Sequence, residues 1–147
     1  MKSRMNINAA EPRIYQAMAV ADKQVSAFDI EPKLKELIKI RVSQINGCGY
    51  CIDYHSKDAL GLGETNQRIF ALAAWWETPF FTEEEQAALK LAEEVTNISH
   101  HGVSNETYAT VVKLLGEQKL AQVIFIAITI NSWNRIAIPV HMVAGRD

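Results

Sequence analysis

Charge of one sign is missing from this chain. Its 15 basic and 17 acidic side chains are interspersed and leave a net charge of −2. No basic stripe offers itself to nucleic acid, and no acidic tail signals disorder. Long apolar runs are missing too: the longest, Leu120 to Ile130, is about half of what a membrane span needs. The N-terminal residues carry two early basic side chains, Lys2 and Arg4, but not the apolar run of a secretory signal. A cytoplasmic protein is therefore expected, with neither a membrane nor a nucleic acid as partner. Cysteine is scarce as well, with two residues in 147. Two thiols are too few for an iron–sulfur cluster, and a structural disulfide would be unusual in the cytosol. Strand signals are weak, and no low-complexity segment, long linker or internal repeat interrupts the chain.

What is present is helical periodicity in a single domain spanning residues 1–147. Apolar residues make up 48% and charged residues 22%, as in soluble globular proteins. Ile14, Met18, Ala21 and Val25 recur at helical steps. Pro32 suits the first turn of a second helix, whose stripe is Leu34, Leu37, Ile38, Val42 and Ile45, and Gly47 closes it. A third helix begins near Cys48 and runs to the glycines at 61–63. A fourth covers residues 66–76 and breaks at Thr78-Pro79. Thr82 and Glu85 form a capping box for a fifth, with Glu83 to Glu85 well placed at its start. Ser104 caps a sixth, and a seventh runs from Lys119 to about Ile136, with Pro139 ending it. The expectation is an all-α bundle of about seven helices. The last helix is apolar on nearly every side, which predicts burial all round. In so small a protein that points to a neighbouring subunit and an oligomer.

The chemistry sits in the stretch NGCGYCIDYHSKDA, residues 46–59. On a helix starting at Cys48, one face collects Cys48, Cys51, Ile52, His55, Ala59 and Leu62. Attached haem would need histidine directly after the second cysteine, where Ile52 stands. Zinc would find Cys48, Cys51 and His55, with His100, His101 or His141 as a fourth ligand. It is the weaker reading, because there is no second cysteine pair and His100 and His101 read as loop residues. Redox chemistry fits better. Cα atoms three residues apart at a helix start lie about 5 Å apart, within disulfide reach. The helix N-terminus stabilises thiolate. His55, one turn after Cys51, is placed to take its proton, although helix-dipole reasoning alone favours Cys48 as the nucleophile. From spacing alone, Glu36 reads as a solvated glutamate paired with Lys33 or Lys39. Trp75, Trp76, Phe80 and Phe81 read as core or subunit contacts, and Trp133 and Arg135 as either interface or pocket.

The stretch ELIKIRVSQINGCGYCIDYHSKDA resembles the core of the AhpD-like alkylhydroperoxidase family, within the carboxymuconolactone decarboxylase superfamily. RIFALAAWWETPFFTEEEQAALKLAEEVT and INSWNR extend the likeness over a family core of about residues 31–136. The resemblance implies an all-α, AhpD-like helical bundle assembled as a homotrimer or homohexamer. It implies that Cys51 attacks peroxide, that Cys48 resolves it, and that His55 relays protons with Glu36. Three positions depart from the pattern, and one of them, Gly49, loosens the turn that sets the cysteine separation. Tyr50 stands where members can carry histidine, and Trp76 where relatives often carry arginine.

The expected function is a thiol-dependent peroxidase of peroxiredoxin type, needing no cofactor or metal. It would reduce organic hydroperoxides or hydrogen peroxide through a Cys48/Cys51 dithiol–disulfide cycle. An external dithiol, or a thioredoxin- or lipoyl-type reductant, would regenerate it. Two alternatives stand beside it. One is a cofactor-free carboxymuconolactone decarboxylase-like lyase using His55 and Glu36. The other is a non-catalytic, redox-sensing helical oligomer.

Overall fold

The computed structural model describes residues 2–145. Among these residues there are eight α-helices, one 3-10 helix and no strand. The helices are α1 (Ile7–Ala10), α2 (Pro12–Ala27), α3 (Pro32–Asn46), α4 (Gly49–Gly61), α5 (Asn66–Ala71), α6 (Glu83–Thr96), α7 (Ile98–His101) and α8 (Asn105–Val140). The fold of the described residues is all-α, as expected.

Helix boundaries follow local chemistry. Pro32 occupies the first turn of α3, where its missing N–H costs nothing. Gly47 ends α3 in the left-handed region at φ 71°, which glycine enters without a Cβ penalty. The Thr82–Glu85 capping box opens α6, and the Ser104 side chain accepts from Thr107 N–H at the start of α8.

Several boundaries differ from the sequence reading. The fourth predicted helix changes to 3-10 geometry over Leu72–Glu77, with Ala74 non-helical inside it. His100 and His101 form the end of α7 rather than a loop. The sixth and seventh predicted helices are one span broken at Gly116, where φ 82° interrupts the helical path. Pro139 does not stop α8 at once. The helix runs one residue past it and closes at left-handed His141, with Met142 N–H donating back to the Ala137 carbonyl.

The core is the mutual packing of α3, α6 and α8, with α4 laid against α3. Leu37, Ile38 and Val42 of α3 meet Leu89 and Leu91 of α6 and Val123, Ile126 and Ile130 of α8, all fully enclosed. Helix α3 is buried on a second face too, since Glu36, Ile40 and Ser43, off the predicted stripe, are also buried. Helix α2 is different. Of its 16 residues only Val25 is buried, and it lies over α8 as a thin outer wall.

The expectation that α8 is buried all round fails within one chain. Its most apolar 18-residue window has mean hydropathy 1.5 but is only 44% buried. Ile128 is exposed, and Ile124, one turn earlier, is half-exposed. The inward side of the same helix forms the core, so its length and hydropathy serve packing. Leu62 is likewise exposed, because α4 ends before it turns back to the core face.

A polar cluster crosses this core. Asn46 Nδ2 donates to Asn131 Oδ1 at 2.9 Å and to Asn134 Oδ1 at 2.8 Å. Asn134 Nδ2 donates to Ser43 Oγ at 3.0 Å. Asn134 and Ser43 are fully buried, so each lost partner leaves an unsatisfied group that costs about 1–3 kcal/mol. Asn134→Ala is therefore expected to lower stability by about 1–3 kcal/mol, read as a lower urea midpoint at unchanged slope. Ser132→Ala, whose hydroxyl bonds only the Ile128 carbonyl on the outer surface, should stay within about 0.5 kcal/mol of the parent.

Candidate active site

The polar cluster leads to the cysteines. By holding Asn46 to α8 it holds the last turn of α3, and Gly47 then reverses the chain. Cys48 N–H donates to the Ser43 carbonyl at 2.9 Å, which sets Cys48 as the N-cap of α4. In that position its sulfur accepts the Cys51 backbone N–H, the bond an N-cap side chain makes with the first turn. Cys48 and Cys51 are joined by a disulfide with their Cα atoms 5.3 Å apart. Both cysteines are buried.

The two sulfurs face different surroundings. Cys51 lines a cavity of about 380 Å³ together with His55, and Cys48 does not line it. The other walls include Lys39 from α3, Tyr15 and Asp22 from α2, and Trp133 from α8. Trp133 packs edge-on to Tyr15 at 5.3 Å, and its Nε1–H donates to both carboxylate oxygens of Asp22 at 3.1–3.2 Å. This contact ties the outer helix α2 to α8 across the cavity.

His55 has a fixed partner. Its Nδ1 lies 2.7 Å from Glu36 Oε2, and Lys39 Nζ lies 2.7 Å from Glu36 Oε1. Burial pushes the Glu36 carboxyl upward, but the hydrogen bond from His55 and the charge of Lys39 outweigh it and hold the group below its ordinary value. An ionised carboxylate only accepts, so Nδ1 carries the proton, and in the neutral ring Nε2 keeps its lone pair. A Tyr54 ring edge-on at 5.2 Å flanks the imidazole.

The candidate residues Cys48, Cys51, His55 and Glu36 thus come together. Glu36 is paired with Lys39, as spacing alone implied, and with His55 as well. Trp133 lines the cavity, while Arg135 is exposed and bonds Asn131. Trp75 and Phe81 are core residues. Trp76 is half-exposed beside Arg41, its ring 5.8 Å from the guanidinium carbon, and lies outside the cavity. His100, His101 and His141, weighed as a fourth zinc ligand, do not line the cavity either. Among the described residues, Glu36, His55 and Asp58 each bring a donor atom within 4.8 Å of the others, but Glu36 and His55 already satisfy one another. Sequence reasoning missed Tyr15, Asp22, Ser43, Asn46 and Asn134. Asp22 meets Trp133 across 111 positions of chain, and no local pattern marks such a pair.

Comparison with known proteins agrees with this architecture. The sequence pattern of the carboxymuconolactone decarboxylase family matches residues 10–94. The uncharacterized protein YdfG of Bacillus subtilis (strain 168) is 42% identical over 138 residues, covering 94% of each chain. A crystal structure of an Agrobacterium tumefaciens protein of unknown function, for which the identity of antioxidant defence protein AhpD has been suggested, superimposes with a TM-score of 0.95 at 30% identity. That likeness covers 99% of this chain and 100% of the other. The debrominase Bmp8 shares the fold at TM-score 0.83 and 22% identity, over 93% of this chain and 74% of its own.

The Glu36 environment has a pH consequence. A carboxyl whose pKa is depressed by folding adds stability above its unfolded value, about 4.3 for glutamate, and loses it as pH falls through the lower folded value. The stability difference between wild type and Glu36→Gln should therefore shrink steadily as pH falls below about 4. Denaturant melts at successive pH values measure it. A difference that grows as pH falls below about 4 would contradict an ionised Glu36.

Proposed function

The chain belongs to the carboxymuconolactone decarboxylase family, and from that premise we propose that it is a thiol-dependent peroxidase acting on organic hydroperoxides or hydrogen peroxide. The observation that carries this reading is that Cys51 shares one small cavity with His55 while bonded to Cys48 behind it. A nucleophile, a base and a resolving thiol need that arrangement.

In the reduced protein, His55 takes the Cys51 proton at Nε2, directly or through water, while Glu36 holds Nδ1–H and balances the imidazolium charge. The Cys51 thiolate attacks the nearer peroxide oxygen and the O–O bond breaks. Cys51 becomes a sulfenic acid, and the departing alkoxide takes the proton from His55 and leaves as the alcohol. The Cys48 thiol then attacks the Cys51 sulfur, forming the disulfide and releasing water. An external dithiol, of thioredoxin or lipoyl type, returns both sulfurs to thiols by exchange. A cycle that must be reduced after each turn suits the reducing cytoplasm. Helix-dipole reasoning favours Cys48 as nucleophile, but Cys51 lines the cavity with His55 and Cys48 does not.

Exposed Ile128, on a helix whose apolar stretch is less than half buried, supports assembly as a homotrimer or homohexamer through that face. Ile128→Asp is expected to reduce the particle mass measured by light scattering.

The central test is thiol titration before and after one equivalent of cumene hydroperoxide. Wild type should lose two thiols per chain and regain them with dithiothreitol, over repeated turnovers. Cys48→Ser should form a sulfenic acid trapped by dimedone, and Cys51→Ser should react at least about a hundredfold more slowly. Native-rate sulfenic acid formation in Cys51→Ser would reverse the assignment of the two cysteines. Turnover that survives alkylation of both thiols would favour the lyase reading, and disulfide formation without turnover the sensor.

A further inference from the structure

In-line attack by the Cys51 sulfur sends the departing peroxide oxygen away from α4, toward the walls that α2, α3 and α8 contribute to the cavity. Negative charge grows on that oxygen before it gains a proton, and a fixed hydrogen-bond donor at that place lowers the barrier. The polar side chains on the α2 and α8 walls are Tyr15, Asp22, Ser26, Thr129 and Trp133. Four of them are committed to one another or to backbone. The Trp133 indole N–H donates to both Asp22 oxygens. The Ser26 hydroxyl donates to the Asp22 carbonyl at 2.9 Å, and the Thr129 hydroxyl to the Phe125 carbonyl at 2.9 Å. On the α3 wall, the Lys39 ammonium is drawn to Glu36 at 2.7 Å.

Tyr15 is the donor that remains on those two walls. Among the described residues its hydroxyl has no hydrogen-bond partner. Its ring is nonetheless fixed, edge-on to Trp133 at 5.3 Å, and Trp133 is in turn held by Asp22. Tyr15 and Asp22 are seven residues apart on α2 and share one face of that helix. The indole of Trp133 therefore meets α2 at two points, and the phenol is set in place before any substrate arrives. Burial, with the Tyr50 hydroxyl close by, holds the Tyr15 hydroxyl above the ordinary phenol value, so it keeps its proton and acts as a donor.

We propose that Tyr15 is a further catalytic residue, whose hydroxyl donates a hydrogen bond to the departing oxygen of the peroxide. The inference rests on the peroxidase reading of the cavity and adds the group that stabilises the leaving oxygen. The Cys51 sulfur bonds to the nearer oxygen as the O–O bond breaks, and the electron pair of that bond goes to the departing oxygen. Tyr15 holds this charge through its hydrogen bond and keeps its own proton. His55 then delivers the proton that it took from Cys51, and the alcohol leaves. Base and donor come from different helices, His55 from α4 and Tyr15 from α2. The thin outer helix is thus part of the reaction centre as well as its cover.

The test is Tyr15→Phe in a Cys48→Ser parent, where oxidation stops at the sulfenic acid of Cys51. Phenylalanine keeps the ring against Trp133 and removes only the hydroxyl. The rate constant with tert-butyl hydroperoxide should fall at least about tenfold. Peracetic acid expels a carboxylate, far less basic than an alkoxide, and its rate should fall by no more than about threefold. Alkylation of Cys51 by iodoacetamide expels iodide, needs no such donor, and should stay within about twofold of the parent. Equal losses with the two peroxides overturn the proposal, as does a matching loss of alkylation, which marks a displaced wall. An undiminished rate with tert-butyl hydroperoxide also overturns it, and a loss in Tyr50→Phe instead would move the donor to α4. A parent that reacts with no peroxide ends the peroxidase reading, and the role of Tyr15 falls with it. A reactive parent with an equally reactive Tyr15→Phe removes the role of Tyr15 alone.

Discussion

One buried carboxylate organises the reactive half of this molecule. Glu36 sits on the second buried face of α3, where desolvation alone would neutralise it. It stays ionised because both oxygens are used, one by His55 from α4 and one by Lys39 from its own helix. The arrangement makes the α3–α4 contact a charged one inside an otherwise apolar interface. Removing either partner would leave one buried carboxylate oxygen without its hydrogen bond, which costs more than the bond contributes. The same bonds fix the imidazole tautomer. The interaction that joins two helices therefore also orients the imidazole that we propose as the base.

The turn between those helices is set from the opposite side. Helix α8 presents Asn131 and Asn134 to Asn46, and Trp133 to the cavity, from adjacent positions. Neighbouring residues on a helix point about 100° apart, so a single helix can pin the Cys48 turn with one side chain and wall the cavity with the next. Ser43 completes the hold by accepting from Asn134 through its hydroxyl and from Cys48 through its carbonyl. Cys48 thus stands at an N-cap whose backbone is tethered before any sulfur chemistry occurs. A disulfide made and broken at such a place needs little chain movement, because the Cα separation already suits it.

Opposing demands meet in α8. Its inner side must be apolar to complete the core with α3 and α6, while its outward side leaves Ile128 and Ile138 exposed. Within one chain that outer side is unfavourably hydrated. The sequence pattern cannot separate a helix buried by its own domain from one buried by a copy, since both read as apolar all round.

Much of the fold was legible in the residues. Helical spacing, Pro32, Gly47, the Thr82–Glu85 box and the Ser104 cap are local signals, and local chemistry determined those boundaries. The Cys48–Cys51–His55 set was legible for the same reason, because one helix face carries all three. The misjudged points each depend on a partner distant in the chain. Glu36 looked like a surface glutamate because periodicity shows which residues share a face, not how many faces are covered. Asp22 with Trp133, and Asn46 with Asn134, are pairs that only folding brings within hydrogen-bond reach. By itself, then, the sequence determined where the helices begin and which thiols and imidazole lie on one of them. The tertiary structure alone decided that Cys51 rather than Cys48 faces the cavity, that His55 has a buried charged partner, and which aromatic walls surround them. Those outcomes depend on how helices pack against each other, and packing is a property of surfaces that meet across the chain.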